Sequence, residues 1–167
     1  MVGSDDMDWR DIKEFLKDSL GYILFFIATL VVVIYIVSIG QIIGPSMEPN
    51  YHEGNIILVD KLRYRLVKIQ RFDVITFRHN ERFYTKRVIG IPGEIIKYND
   101  NQLYINNKLV KEPFKREGIT QDFITSKIPE DTYYVIGDHR TNSEDSRYFG
   151  PIDKLGITGK VEMIIWR

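Results

Sequence analysis

Three clusters of side chains in this sequence have the types and spacing to do chemistry. The first is Gly44-Pro45-Ser46-Met47-Glu48-Pro49. Two prolines fix the chain on either side of one hydroxyl. A serine in so rigid a turn can present its oxygen and its own backbone N–H in one direction. Acyl transfer needs that pairing of nucleophile and oxyanion donor. Taken alone, the same residues also describe a plain turn. The second cluster is Tyr84-Thr85-Lys86-Arg87-Val88-Ile89-Gly90-Ile91-Pro92-Gly93. In strand alternation Lys86 shares a face with Tyr84, Val88 and Gly90. An ordinary lysine is neutral in roughly one molecule in 2,500 at pH 7. Bringing its pKa to about 7 takes about 4.6 kcal/mol of differential destabilisation of the ammonium. Burial among apolar groups can supply this, because desolvation penalises the charged form. A neutral Lys86 would then be a general base toward Ser46; a solvated strand lysine is the plain alternative.

The third cluster runs from Gly137-Asp138-His139-Arg140 through Asn142-Ser143-Glu144-Asp145-Ser146-Arg147 to Gly150. It reads either as a buried hydrogen-bond network with Asp145 paired to Arg147 or as a solvated loop. His139 invites a Ser-His-Asp triad with Ser46, but neither it nor His52 or His79 has a local partner pattern. The sequence shows no plausible metal-ligand cluster, and with no cysteine there is neither a disulfide nor a thiolate site.

The elements that must position these clusters begin with one long apolar segment. Residues 20–40, LGYILFFIATLVVVIYIVSIG, carry no charge. As a helix they rise about 31 Å, enough to cross a hydrocarbon core of roughly 30 Å. A buried core helix would normally show a polar face. A cleaved signal peptide would have a shorter apolar core, and the tail before the segment is acidic. An uncleaved anchor is the better reading, dividing the chain into a tail (1–19), a span (20–40) and a domain (41–167). Arg10, Lys13 and Lys17 precede the span, and the next such residue is Lys61. The expected topology is therefore single-pass, with the N-terminus cytoplasmic and the domain extracytoplasmic. Trp9, Ile12, Leu16 and Leu20 fall at helical spacing, which fits either a short helix on the membrane surface or the first turns of the anchor.

After the span, runs rich in β-branched and aromatic residues predict strands at Asn55–Val59, Asp73–Phe77, Phe83–Ile89, Glu94–Tyr98, Gln102–Ile105, Thr132–Ile136 and Lys160–Trp166. Asp100–Asn101 and Asn106–Asn107 are hairpin signals. A helical turn or two is expected within Lys61–Gln70. The polar stretch Lys111–Glu130 reads as a loop on the far side of the domain. The fold expected is an all-β folded sheet or barrel. A formal net charge of zero over 167 residues gives no sign of a nucleic-acid partner.

The three clusters, in this order and behind an N-terminal anchor, resemble the bacterial type I signal peptidases. Ser46-Met47-x-Pro49 matches the nucleophile motif of that family, and Lys86 through Gly93 matches its general-base motif. Gly137-Asp138 with Asn142-Ser143-x-Asp145-Ser146-Arg147 matches a third box, and Gly54 with the strand after it a further one. The short length is similar to that of the compact, single-anchor members of Gram-positive bacteria. The resemblance implies a membrane-bound serine endopeptidase in which Ser46 attacks a preprotein and Lys86 takes its proton. It implies that Ser143 hydrogen-bonds Lys86 and that Asp145 and Arg147 form a supporting ion pair, with Gly137 and Asp138 beside them. It implies an extended substrate, added as a β-strand between the segments before Ser46 and Lys86. Ile42, Gly44, Met47, Tyr84 and Thr85 would line that site and accept small side chains at the first and third positions before the cut. The implied partners are exported preproteins and the bilayer; no metal or cofactor is implied. Asn50, Asn55 and His139 depart from the family's usual Thr, Asp and Asn, and Gly44 leaves open which group is the second oxyanion donor. Two other readings stand beside this one: a self-cleaving repressor-type Ser-Lys protease, and a dedicated or catalytically weak relative acting in surface-protein or pilus assembly.

Overall fold

The computed structural model describes residues 9–62 and 66–167, and within the helix the side chains of Val32 and Ile34 are not among those described. The chain divides into two units at Ile36/Val37. The first contains one continuous helix, α1 (Trp9–Ile36). The amphipathic start and the apolar run are thus a single element. Gly21 is the one glycine within it, and Thr29 Oγ1 folds back to donate to Phe25 O at 2.9 Å. Large apolar side chains such as Tyr22, Ile23, Leu24, Phe25 and Phe26 are exposed in succession around its axis. Among the described residues no helix is long and apolar enough to cross a membrane.

The helix ends four residues before the apolar run does. Val37–Gln41 forms strand β1, paired antiparallel with β2 (Ile56–Asp60) from Val37↔Asp60 to Gln41↔Ile56. The helix therefore ends at Ile36, inside the apolar run that the sequence continues to Gly40. The physical reason is that Val37-Ser38-Ile39-Gly40 suits a strand as well as a helix, and an edge of β2 is there to pair with it.

The second unit is all-β with short helical turns. Its strands after β2 are β3 (Val74–His79), β4 (Arg82–Gly90), β5 (Ile96–Asn99), β6 (Gln102–Ile105), β7 (Lys108–Val110), β8 (Phe123–Ile124), β9 (Thr132–Ile136), β10 (Ile152–Asp153) and β11 (Ile157–Trp166). They form a seven-stranded sheet, β1-β2-β11-β3-β4-β9-β10, and a four-stranded sheet, β7-β6-β5-β8. Every strand pairing is antiparallel. Both expected hairpin signals are turns with positive φ at both positions, 52° and 59° at Asp100–Asn101 and 48° and 66° at Asn106–Asn107. Asn80–Glu81 joins β3 to β4 in the same way, with φ of 45° and 64°. These are the backbone angles whose twist matches that of paired strands. The expected turn at Lys61–Gln70 falls partly on residues 63–65, outside the described residues.

Strand β4 is central to the site because it is buried on both faces. Val88 belongs to one apolar cluster with Ile75, Phe77, Tyr133, Val135 and Ile157. Its neighbour Ile89 belongs to another, with Ile96, Tyr98, Leu103, Ile128 and Ile136. A third cluster, Ile42, Met47, Ile57, Val59, Val74 and Val161, lies under the segment that carries Ser46. Packing on both faces of one strand fixes its side-chain directions, since a one-residue slip would exchange them.

Candidate active site

Ser46 sits in a tight turn closed by Glu48 N–H donating to Pro45 O at 3.0 Å and Tyr51 N–H donating to Met47 O at 3.0 Å. Gly44 enters that turn with φ of 76°, a conformation glycine adopts without penalty. Met47 is buried at 1% exposure and plugs the turn into the third cluster. From the other side His139 N–H donates to Ser46 O at 3.1 Å. Among the described residues the backbone N–H of Ser46 meets no acceptor.

Lys86 projects from β4, where Ile75 of β3 is its register partner. Its Nζ lies 2.6 Å from Ser46 Oγ and 5.7 Å from the centre of the Tyr84 ring. The residue is 4% exposed, and among the described residues no carboxylate lies within ion-pair distance of it. Burial pulls its pKa down from the ordinary 10.5 to about 8, against the opposing pull of Asp145, Glu144 and Asp138. At pH 7 the neutral amine is then present in about one molecule in ten, against roughly one in three thousand for a free lysine. The ammonium donates to Ser46 Oγ, and the neutral amine can accept the Ser46 proton along the same 2.6 Å line.

A frame of ion pairs holds the two groups together. Arg147 clasps Asp145 with Nε to Oδ1 and Nη2 to Oδ2, both at 2.8 Å. Asp145 also accepts from Gly137 N–H at 3.0 Å. Asp138, fully buried, takes Arg87 in a two-pronged pair at 2.8 and 2.6 Å and accepts from Asn50 Nδ2 at 2.8 Å. Strand β4, the Ser46 turn and the third cluster are thereby tied at one point. Gly137 must lack a side chain: a Cβ there would lie 2.2 Å from Ser143 Oγ and 2.5 Å from Ser46 O. A cleft of about 930 Å³ opens over Ser46 and Lys86. Ile42, Gly44, Met47, Tyr84 and Thr85 all line it, with Ile39, Ile43 and Phe83 more exposed at its walls.

The family described as signal peptidase, peptidase S26, matches residues 12–166. The chain belongs to this family. It is 44% identical over 133 residues to signal peptidase I V of Bacillus subtilis, covering 71% of this chain and 79% of the relative. It is 39% identical over 160 residues to a signal peptidase I of Bacillus caldolyticus, covering 85% and 88%. A crystal structure of a signal peptidase I from Enterococcus faecalis superposes with a TM-score of 0.53 at 37% identity, over 57% of this chain and 98% of that one. As a member of the family the chain is a serine endopeptidase, a hydrolase.

The expected site residues of this peptidase domain come together, with one difference of detail. Ser143 lies beside Gly137 and the Ser46 carbonyl, but its buried Oγ has no hydrogen-bond partner. The implied bond to Lys86 is absent, and the short contact of Nζ is to Ser46. The segment Lys111–Glu130 is not a far-side loop. It contains β8, and its Lys115 O accepts from Asn50 Nδ2 at 2.6 Å beside the nucleophile turn. Sequence reasoning also missed the Arg87–Asp138 pair. The signal was present: Arg87 points to the face of β4 opposite Lys86, and a buried arginine needs an anion.

Glu48, Glu117 and His139, far apart in sequence, each bring one ligand atom within 4.8 Å of the others.

Proposed function

We propose that this chain removes signal peptides from exported preproteins through a Ser46–Lys86 dyad and an acyl-enzyme. The observation that carries the reading is the 2.6 Å contact of Ser46 Oγ with a buried Lys86 that no carboxylate neutralises. Neutral Lys86 takes the Ser46 proton as Oγ attacks the scissile carbonyl. The free N–H of Ser46 faces the developing oxyanion. The Lys86 ammonium then protonates the leaving amine. Deprotonated again, Lys86 activates the water that releases the acyl group. Asp145–Arg147 and Arg87–Asp138 hold the geometry without touching substrate.

The substrate reads as an added strand. On the β9 side, pairing of β4 begins only at Arg87, so Arg82–Lys86 has an open backbone edge toward the cleft. The segment 42–45 forms the facing wall. Ile42, Met47, Tyr84 and their neighbours leave shallow apolar space, which suits small side chains at the first and third positions before the cut.

The helix α1 is proposed as the anchor. Residues 20–36 carry no charge, and Val32 and Ile34 complete the apolar run in the sequence. That stretch rises about 25 Å, and Lys17 one turn earlier can extend its ammonium to the membrane surface. Arg10, Lys13 and Lys17 place the tail in the cytoplasm by the positive-inside rule and the β domain on the outer face. In the sequence Ser46 follows the end of the helix by ten residues.

The test is cleavage of a preprotein by the full chain in detergent. Ser46→Ala and Lys86→Ala should each abolish it while the far-UV dichroism stays that of the parent. Full activity of Lys86→Ala would remove the lysine from the mechanism. Labelling of an engineered C-terminal cysteine from the cytoplasmic side would overturn the topology.

A further inference from the structure

Two residues beyond the nucleophile, Glu48 meets Glu117 and His139, with the three ligand atoms within 4.8 Å of one another. Main-chain bonds fix all three. Glu117 N–H donates to Asp138 O at 3.0 Å, and Arg140 N–H donates to Glu117 O at 2.7 Å, so Glu117 and His139 form a parallel bridge. His139 N–H donates to Ser46 O, and Glu48 is held by the Pro45 turn. The half-buried imidazole points the same way: among the described residues His139 Nδ1 is shielded from solvent and has no hydrogen-bond partner. A buried nitrogen left in this way is rare in folded proteins and calls for an explanation. Charge points the same way. Among the described residues Glu117 has no ion-pair partner, and Glu48 has only the His52 imidazole, at 3.6 Å.

We propose that Glu48, Glu117 and His139 form a binding site for a divalent transition-metal ion of the zinc class. One imidazole nitrogen with two carboxylates suits Zn²⁺, Co²⁺ or Mn²⁺ better than Mg²⁺ or Ca²⁺, which favour all-oxygen shells. Three protein ligands leave a position for water. Ligand atoms about 2.0–2.1 Å from a tetrahedral ion are about 3.3 Å apart. The group must therefore close by about 1.5 Å at its widest, which the exposed, unpaired Glu117 side chain can supply by rotation. The bound ion cross-links the nucleophile turn, the Glu117 segment and the loop after β9. It lies one main-chain bond from Ser46, through His139 N–H and Ser46 O, without touching the reacting atoms.

The test uses the full chain in detergent, stripped with a chelator and titrated with Co²⁺ and then Zn²⁺. One Co²⁺ per chain should bind with visible ligand-field bands, and Zn²⁺ should displace it. Saturating Zn²⁺ should raise the melting temperature by about 5 °C, and Mg²⁺ should not. Glu117→Gln and His139→Asn should each weaken binding at least tenfold, and His79→Asn should not. Glu117 is exposed, so Glu117→Gln should melt like the parent without metal; it decides the matter if His139→Asn does not fold. Absence of a band and of a melting shift up to millimolar metal would overturn the site, as would equal binding by parent and Glu117→Gln.

Discussion

Lys86 and Arg87 are neighbours on one strand, both buried, and the fold treats their charges in opposite ways. Arg87 has the fully buried Asp138 on two of its nitrogens, the Phe72 carbonyl on a third at 2.9 Å, and the Phe114 ring 4.1 Å away. Lys86 has one hydroxyl and the Tyr84 ring. An arginine holds its proton at any ordinary pH, so its burial is tolerable only with a matched anion. A lysine can shed its proton, and withholding the anion makes it do so. The strand thus places a structural cation and a reactive amine one residue apart, on opposite faces.

That contrast can be broken from either side. The largest expected effect is on chemistry: Lys86→Met should cut the cleavage rate by about 10⁴-fold, or ~5.5 kcal/mol, measured by single-turnover processing of a preprotein. Next is the structural pair. Asp138→Ala leaves the Arg87 charge buried and uncompensated and should lower stability by about 3–5 kcal/mol in urea unfolding. Lys86→Met should act in the reverse direction on the same measurement. With the lysine pKa lowered to about 8 in the folded chain and 10.5 when unfolded, the unfolded state holds more protons between those values. Stability of the parent chain therefore rises as pH goes from 8 to 10.5, and the full penalty of about 3 kcal/mol applies below 8. Lys86→Met should be more stable than the parent at pH 7 by up to that amount, with the difference closing toward pH 10.5. The smallest effect belongs to Glu144, which accepts a long hydrogen bond from Tyr84 OH at 3.5 Å and holds the lysine pKa up. Glu144→Gln should move the rising limb of the pH–rate profile a few tenths of a unit lower, about the size expected of a screened, exposed charge.

The strands that build the dyad's frame were legible because β3, β4 and β9 are runs of β-branched and aromatic residues, and the Asp100–Asn101 and Asn106–Asn107 turns carry their own chemistry. β1 was not, because Val37–Gly40 continues the apolar run of the helix and nothing in it marks the change of period. β7, β8 and β10 are two or three residues long, too short for alternation to appear. In the site, Ser46, Lys86 and Asp145–Arg147 were legible through the resemblance carried by the three clusters together, since each alone also reads as an ordinary turn, strand lysine or loop. The Asp138–Arg87–Asn50 tie and the Glu48–Glu117–His139 group were not. Each draws on segments far apart in sequence, so a local signal such as the inward face of Arg87 can call for an anion without naming Asp138. The bond expected between Ser143 and Lys86 shows the complementary limit: sequence placed the residue correctly but could not fix its hydroxyl.

The chemistry proposed for Ser46 requires Lys86 to be a buried amine, with no anion at ion-pair distance among the described residues. Its titration is read directly by NMR of the full chain in detergent with ¹³C-labelled lysine side chains, the Lys86 signal being assigned by its loss in Lys86→Met. A midpoint near 8, well apart from the other lysines, is the predicted result. A midpoint near 10.5, among the surface lysines, would contradict it.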